Sequence, residues 1–259
     1  MKNKVRKGLG ILMILMILLS VCCIGFIVWY EYHKADNADV YSKVQKEAVD
    51  NKKKDTDSSD NTKQKDTYVS PIDFDSLKET NPDIYAWIEI PDTKINYPIV
   101  QSAEDDTYYL NHTIDGKSGY PGSIYTESLN AKDFSDYNTV IYGHNMKDGS
   151  MFQGLHAYED SQYLTEHPYV YIYTPEKKLT YRIFAAVVYG NEHILNSYDF
   201  TDAYQRQLYL NSVQGSRDMK DSRDESVQVD TDSHILTLST CIGGRPENRY
   251  IVEAVLMDE

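Results

Sequence analysis

Cysteine is scarce in this chain, and the scarcity restricts its chemistry. Of three cysteines in 259 residues, two sit side by side at Cys22 and Cys23. Only Cys241 lies beyond the N-terminal apolar run. One cysteine makes no internal disulfide, so the fold must stand on its core. No CxxC pair and no HExxH motif is present, which argues against a structural zinc site. Basic charge is also lacking. Lys2, Lys4, Arg6 and Lys7 give residues 1–30 a charge of +4 with no acid, the whole chain carries −14, and residues 31–259 therefore carry −18. So acidic a body argues against nucleic acid, because phosphate binding needs clustered Lys and Arg. No internal repeat is apparent.

What is present begins with an anchor. Gly8 to Tyr30 holds no charged residue and is mostly Leu, Ile, Met and Val. As a helix its 23 residues would span about 30 Å of hydrocarbon. The four basic residues before it (residues 1–7) should stay in the cytoplasm, which puts the rest of the chain outside the cell. Trp29 and Tyr30 would lie at the outer interface. The rival reading is a cleaved signal peptide, but the run is longer than a signal core and no small-x-small cleavage site follows it. Residues 8–30 therefore read as a single-pass membrane anchor and residues 31–71 as a polar extracellular tether. Asn51 to Asp66 contains no apolar residue, so it buries nothing and should be flexible. Residues 31–50 extend the membrane helix in this reading.

Pattern returns at Ile72, and residues 72–259 read as one folded domain. Phe74, Leu77, Ile84 and Trp87 suggest short helices broken at Asn81-Pro82. Strand-like stretches follow at Trp87–Ile90, Asn96–Val100, Ser123–Thr126, Asn138–Tyr142, Tyr169–Tyr173, Leu179–Tyr189, His234–Thr240 and Tyr250–Met257. They are rich in Val, Ile, Tyr and Thr and bounded by Pro, Gly, Asn and Asp. About eight strands in roughly 190 residues favour a closed or nearly closed β-barrel, mainly β with helices. Helices are expected at Ser102–Leu110, at Met151–Glu166 and at Thr201–Val213. The last carries Tyr204, Leu208 and Tyr209 on one side. It lies in the long Gly190–Asp232 connection, a length that usually marks function.

Three features carry chemistry. His234-Ile-Leu-Thr-Leu-Ser-Thr-Cys241 reads as a strand ending in cysteine, with Gly243 and Gly244 marking a loop after it. Asn138-Thr-Val-Ile-Tyr-Gly-His144-Asn is a second strand, running into a histidine. A thiol needs a nearby base or cation to become thiolate, and two strand ends on one barrel can meet at one rim. Arg245 and Arg249 follow within eight residues of the cysteine. Arg249 is expected to open the last strand, where a fixed guanidinium could steady an oxyanion.

Thr-Leu-Ser-Thr-Cys241, Thr-Val-Ile-Tyr-Gly-His144-Asn-Met and the following Arg249 together resemble the sortases, class B most of all. Tyr109-Leu-Asn-His-Thr and Gly122-Ser-Ile-Tyr resemble further stretches of that family. The likeness covers about residues 72–259. It implies a sortase-like barrel and a cysteine transpeptidase that cleaves a C-terminal sorting motif of secreted proteins through a thioacyl intermediate. A peptidoglycan precursor or crosslink amine would resolve that intermediate. Cys241 matches the family nucleophile, His144 its general acid/base and Arg249 its oxyanion or orienting residue. Ser239, Thr240, Asn111 and Tyr204 are candidate substrate contacts, with the 201–213 helix forming a wall. Ser239 should share the cysteine's strand face. No cofactor, metal or nucleic-acid partner is expected. The implied setting is the membrane of a Gram-positive cell, with the catalytic domain outside. A hydrolase of the same chemistry, with water as acceptor, and a non-catalytic anchored binding module are the alternatives.

Overall fold

The computed structural model describes residues 2–56 and 68–258. They fall into two compact units, one ending at Val40 and one beginning at Tyr41. Helix α1 covers Lys2–Thr56. Its stretch Leu12–Trp29 is apolar, long enough to cross a membrane, and unburied. Residues 31–50 continue that helix, as expected, and so do residues 51–56, where a flexible segment was expected. Tyr41, Val44 and Ala48 share one helix face and are buried in the second unit. The Tyr41 hydroxyl donates to the Gly122 carbonyl, and Gln45 Nε2 donates to the Asn96 carbonyl at 2.6 Å. Those apolar side chains, spaced within a polar segment, dock the helix. Residues 57–67, the most polar part of the expected tether, lie outside the described residues.

Among the described residues the second unit is built on nine strands. They are β1 (Ile84–Glu89), β2 (Asn96–Val100), β3 (Ile124–Tyr125), β4 (Asn138–Tyr142), β5 (Tyr169–Tyr173), β6 (Lys178–Gly190), β7 (Ser222–Arg223), β8 (Ile235–Ile242) and β9 (Arg245–Asp258). Hydrogen bonding runs β5-β1-β2-β3-β4-β8-β9-β6, and β5 also pairs with β6. That pairing closes eight strands into a barrel, which abolishes their free edges. The short β7 continues along β6 beyond β5, at Ala185 and Ala186. The eight strands read from sequence are these eight.

Three expectations need correction. Ile84 lies in strand β1, not in a helix, and that strand contains Trp87, where a strand was also expected; only Phe74–Thr80 is helical there (α2). Five of the six β1 side chains are buried, as suits a strand covered on both faces. Ser102–Leu110 forms only a 3₁₀ turn at Tyr108–Leu110. Ser102 Oγ accepts from the Glu104 and Asp105 amides, and Asp105 Oδ1 from the Thr107 amide at 2.8 Å, a local bonding that competes with a helix. The last strand starts at Arg245, since a two-residue Gly243-Gly244 turn, with Gly244 at φ 78°, joins β8 to β9. The other expected helices are present. Met151–Glu166 contains a 3₁₀ helix (Phe152–Glu159) and α3 (Ser161–Glu166). After the short α4 (Ile194–Ser197), helix α5 covers Ala203–Gly215, capped by Asp202. Its buried face is Tyr209, Leu210 and Val213, whereas Tyr204 is 67% exposed.

Helix α5 packs on the outside of the barrel. Its buried face joins Val140, Val187, Ile235, Ile251 and Val255 in one apolar cluster. Strands β8 and β9 organise that surface, because paired residues share a face. The rungs Ile235/Val255, Thr237/Glu253, Ser239/Ile251 and Cys241/Arg249 succeed one another along the same side. The first two lie under α5. At the second, Tyr209 donates to Glu253 Oε1 at 2.7 Å, and the Thr237 hydroxyl lies 3.0 Å from Glu253 Oε2. Glu253 is completely buried. Desolvation pushes its carboxyl up to about 8, with the Tyr209 and Thr237 bonds acting against that rise. An acid raised on folding takes up a proton, so its contribution to stability falls as pH climbs from 4.5, its ordinary value, to about 8. Calorimetry of Glu253→Gln should therefore record a smaller drop in melting temperature between these pH values than the parent chain. An equal drop would contradict a raised carboxyl.

Candidate active site

The end of the β8–β9 ladder that α5 leaves uncovered opens into a cleft. Its floor is a row of residues on neighbouring strands. Tyr125 of β3 pairs with Tyr142 of β4, Tyr142 with Ser239 of β8, and Ser239 with Ile251 of β9. The Tyr125 and Tyr142 rings stack at 5.4 Å, and burial, then the nearby Glu127 carboxylate, raises both phenols. Two residues further on, Cys241 stands opposite Arg249. The cleft lining includes Cys241, Arg249, Ser239 and His144.

Each of these is placed by its strand. Cys241 is exposed at the end of β8, where the register shifts. His144 follows β4, which runs parallel to β8 and delivers it beside the cysteine end. Its Nε2–H donates to the Leu110 carbonyl at 2.8 Å, and the Tyr120 ring packs at 5.3 Å. Gly143 makes the approach possible. A Cβ there would meet Ile124 Cδ1 at 2.5 Å and the Phe152 ring at 2.7 Å. Arg249 is half-buried and donates to the Pro246 and Asn248 carbonyls at 3.0 and 2.9 Å. Arg245 is committed elsewhere, in an ion pair with Asp218 at 2.6 Å.

The remaining candidates divide. Ser239 shares the cysteine's face, as alternation requires. Thr240 borders the cleft, but its hydroxyl donates to the Gly143 carbonyl at 2.8 Å. Asn111 is exposed beside Leu110, and it is Leu110 that lines the cleft. Tyr204 points to solvent from α5, and the wall is the segment Gly190–Ile194 rather than that helix. His193 fixes this wall: its Nδ1 accepts from the Asn196 amide and its Nε2 meets Glu127 Oε2 at 2.5 Å. Burial lifts the Glu127 carboxyl above its ordinary range, and the His193 pairing opposes the lift. Sequence reasoning missed Glu127, His193, Tyr125, Asn145 and His156. Of these, Asn145 carried a local signal, its position directly after His144, and Tyr125 closed the Gly122-Ser-Ile-Tyr stretch. Among the described residues no group of His, Cys, Asp and Glu could hold a metal ion.

Residues 88–257 match the family model of the sortase domain. The chain belongs to the sortase family. Sortases are cysteine transpeptidases. Relatives and solved structures it resembles include sortase B proteins. It is 37% identical to sortase B of Listeria monocytogenes over 168 residues, covering 64% of this chain and 65% of that protein. Over 168 residues it is 28% identical to sortase B of Staphylococcus aureus, 65% of this chain and 67% of the relative. The chain thus spans about two thirds of the length of each relative. A solved Staphylococcus aureus sortase B–substrate complex superposes with a TM-score of 0.71 at 25% identity, covering 87% of this chain and 98% of that one. The eight-stranded barrel with helices is the fold these structures share.

Gly143→Ala tests how tightly this sortase cleft is packed. Overfilling the contact with Ile124 and Phe152 should cost about 1–3 kcal/mol and displace His144. Denaturant unfolding measures the cost, and a variant of parental stability would mean that Phe152 yields freely.

Proposed function

We propose that this sortase is a membrane-anchored enzyme that cleaves a C-terminal sorting motif of secreted proteins and transfers them to a cell-wall amine. The observation that carries the reading is the terminal β8–β9 rung. It sets an exposed thiol opposite a guanidinium, in a cleft that His144 also lines.

In this mechanism the Cys241 thiolate attacks the scissile carbonyl. The tetrahedral oxyanion forms beside Arg249, whose fixed charge is worth most where water is excluded. The His144 imidazolium gives a proton to the leaving amide nitrogen, and a thioacyl intermediate remains. An incoming amine attacks the thioester, His144 takes its proton, and the thiolate departs. Because Nε2 is tied to Leu110, Nδ1 is the nitrogen that exchanges the proton. The cleft above the floor row suits an extended peptide whose alternate side chains enter pockets. The sorting-motif substrate, the peptidoglycan amine and an extracellular catalytic domain are parts of this proposal. So is anchoring through residues 8–30, supported by the apolar helix Leu12–Trp29 and the basic residues before it.

The test uses the full chain in detergent, fluorogenic sorting peptides, and reactions with and without an added amine. Cys241→Ala and His144→Ala should abolish cleavage. Arg249→Ala should lower kcat by about 10²–10³-fold, while Arg245→Ala, which breaks only an exposed ion pair, should stay within about fivefold of the parent. Amine incorporated into the product identifies transfer. Cleavage that ignores the amine would instead assign a hydrolase.

A further inference from the structure

Cys241 stands where backbone pairing runs out. On the β9 side the register slips between Cys241 and Ile242. On the β4 side the ladder has already ended at Tyr142. Carbonyls two residues apart on a strand point the same way. The Ser239 carbonyl accepts from the Gly143 amide at 3.1 Å, so the Cys241 carbonyl points to that side too. The next backbone donor in a parallel ladder would come from Asn145, but its backbone has turned to bridge Met151.

Side chains fill the missing rung. Asn145 Nδ2 donates to the Cys241 carbonyl at 2.9 Å. His156 Nε2 lies 2.9 Å from that same nitrogen and 3.1 Å from the same carbonyl oxygen. His156 Nδ1 meets Glu159 Oε1 at 2.8 Å, and Lys220 Nζ holds Glu159 at 2.6 Å. The imidazole stacks on Tyr250 of β9, ring centroids 5.1 Å apart. Counting protons gives a consistent set. In a neutral His156, Nδ1–H donates to Glu159 and Nε2 accepts one Asn145 amide proton. The other amide proton goes to the Cys241 oxygen. A protonated His156 would direct Nε2–H at that oxygen itself. In either state the network keeps a donor on the carbonyl.

The geometry points to His156 as a positioning residue for Cys241: with Asn145 and Glu159 it fixes the carbonyl of the proposed nucleophile, and through it the direction of the thiol. This rests on the transpeptidase reading above. His156 does not line the cleft, so it acts through the cysteine backbone and touches no substrate. A strand end without its rung frays, and attack tolerates little misplacement of the reacting atom.

Because positioning serves the attack rather than peptide binding, the loss should appear in kcat. His156→Phe keeps a ring against Tyr250 but removes both nitrogens. In the full chain it should lower kcat about 10- to 100-fold, with KM and melting temperature close to the parent. His156→Gln returns an acceptor at the Nε2 position and should recover most of the loss. Asn145→Ala should give a similar loss, and the double variant should be no worse than either single one. A readout independent of turnover comes from [1-¹³C]cysteine-labelled chain, with the Cys241 resonance identified by its disappearance in Cys241→Ser. That carbonyl resonance should move upfield in His156→Phe as its donor loosens. Parental kcat in His156→Phe, no recovery in His156→Gln, or an unmoved resonance would each overturn the assignment. A parent chain that turns over no sorting peptide would sink the transpeptidase reading, and the carbonyl resonance would still decide whether His156 holds Cys241.

Discussion

The register of β8 against β9 is the constraint on which the rest of the structure depends. Four successive rungs share one face of the two strands, and each meets a different environment. Ile235/Val255 lies in the apolar cluster under α5. Thr237/Glu253 forms a buried polar tie to Tyr209. Ser239/Ile251 is cleft floor, and Cys241/Arg249 is its chemically equipped end. Slipping β8 by one residue would move every one of these side chains to the other face. The closed barrel prevents that slip, because β8 is pinned by β4 on its other edge.

The cleft is thus the uncovered continuation of a core. The same strand face that packs α5 carries on past the helix and becomes the floor of the cleft. Its wall comes from the connection after β6. That strand lies beyond β9, yet the Glu127–His193 pair fastens the connection next to β3. The wall therefore bridges several strands of the floor and is held at both ends. Beneath the cysteine, the Asn145–His156–Glu159–Lys220 chain ties the strand end to the 3₁₀ helix and to the segment before β7. Where the backbone ladder stops, side chains bond the strand end.

Much of the architecture was legible in the residues. Strands such as Asn138–Tyr142 and Tyr169–Tyr173 are rich in β-branched and aromatic residues and bounded by turn formers, so their limits read directly. That Cys241 and His144 share one cleft was legible because Cys241 stands at the end of such a strand and His144 just beyond another. Less legible were features that depend on partners distant in sequence. Ile84 sits at helical spacing, but pairing with Val100 of β2 makes it strand. Tyr204, Leu208 and Tyr209 share the stripe read from sequence, yet the barrel buries Tyr209 with Leu210 and Val213 and leaves Tyr204 in solvent. Tyr41, Val44 and Ala48 looked like spacer because their partners, Gly122 among them, lie far along the chain.

By itself the sequence determined the apolar N-terminal run, the acidic body, the eight strands and the residue types able to do thiol chemistry. These follow from local composition and alternation, which a chain carries without knowing its partners. Tertiary structure decided which of two arginines faces the thiol, because Asp218 engages Arg245 and the ladder sets Arg249 opposite Cys241. It also decided that His193 walls the cleft and that His156 reaches the cysteine carbonyl 85 residues away in sequence. Such contacts come from strand order and register, and those are fixed only when the barrel closes.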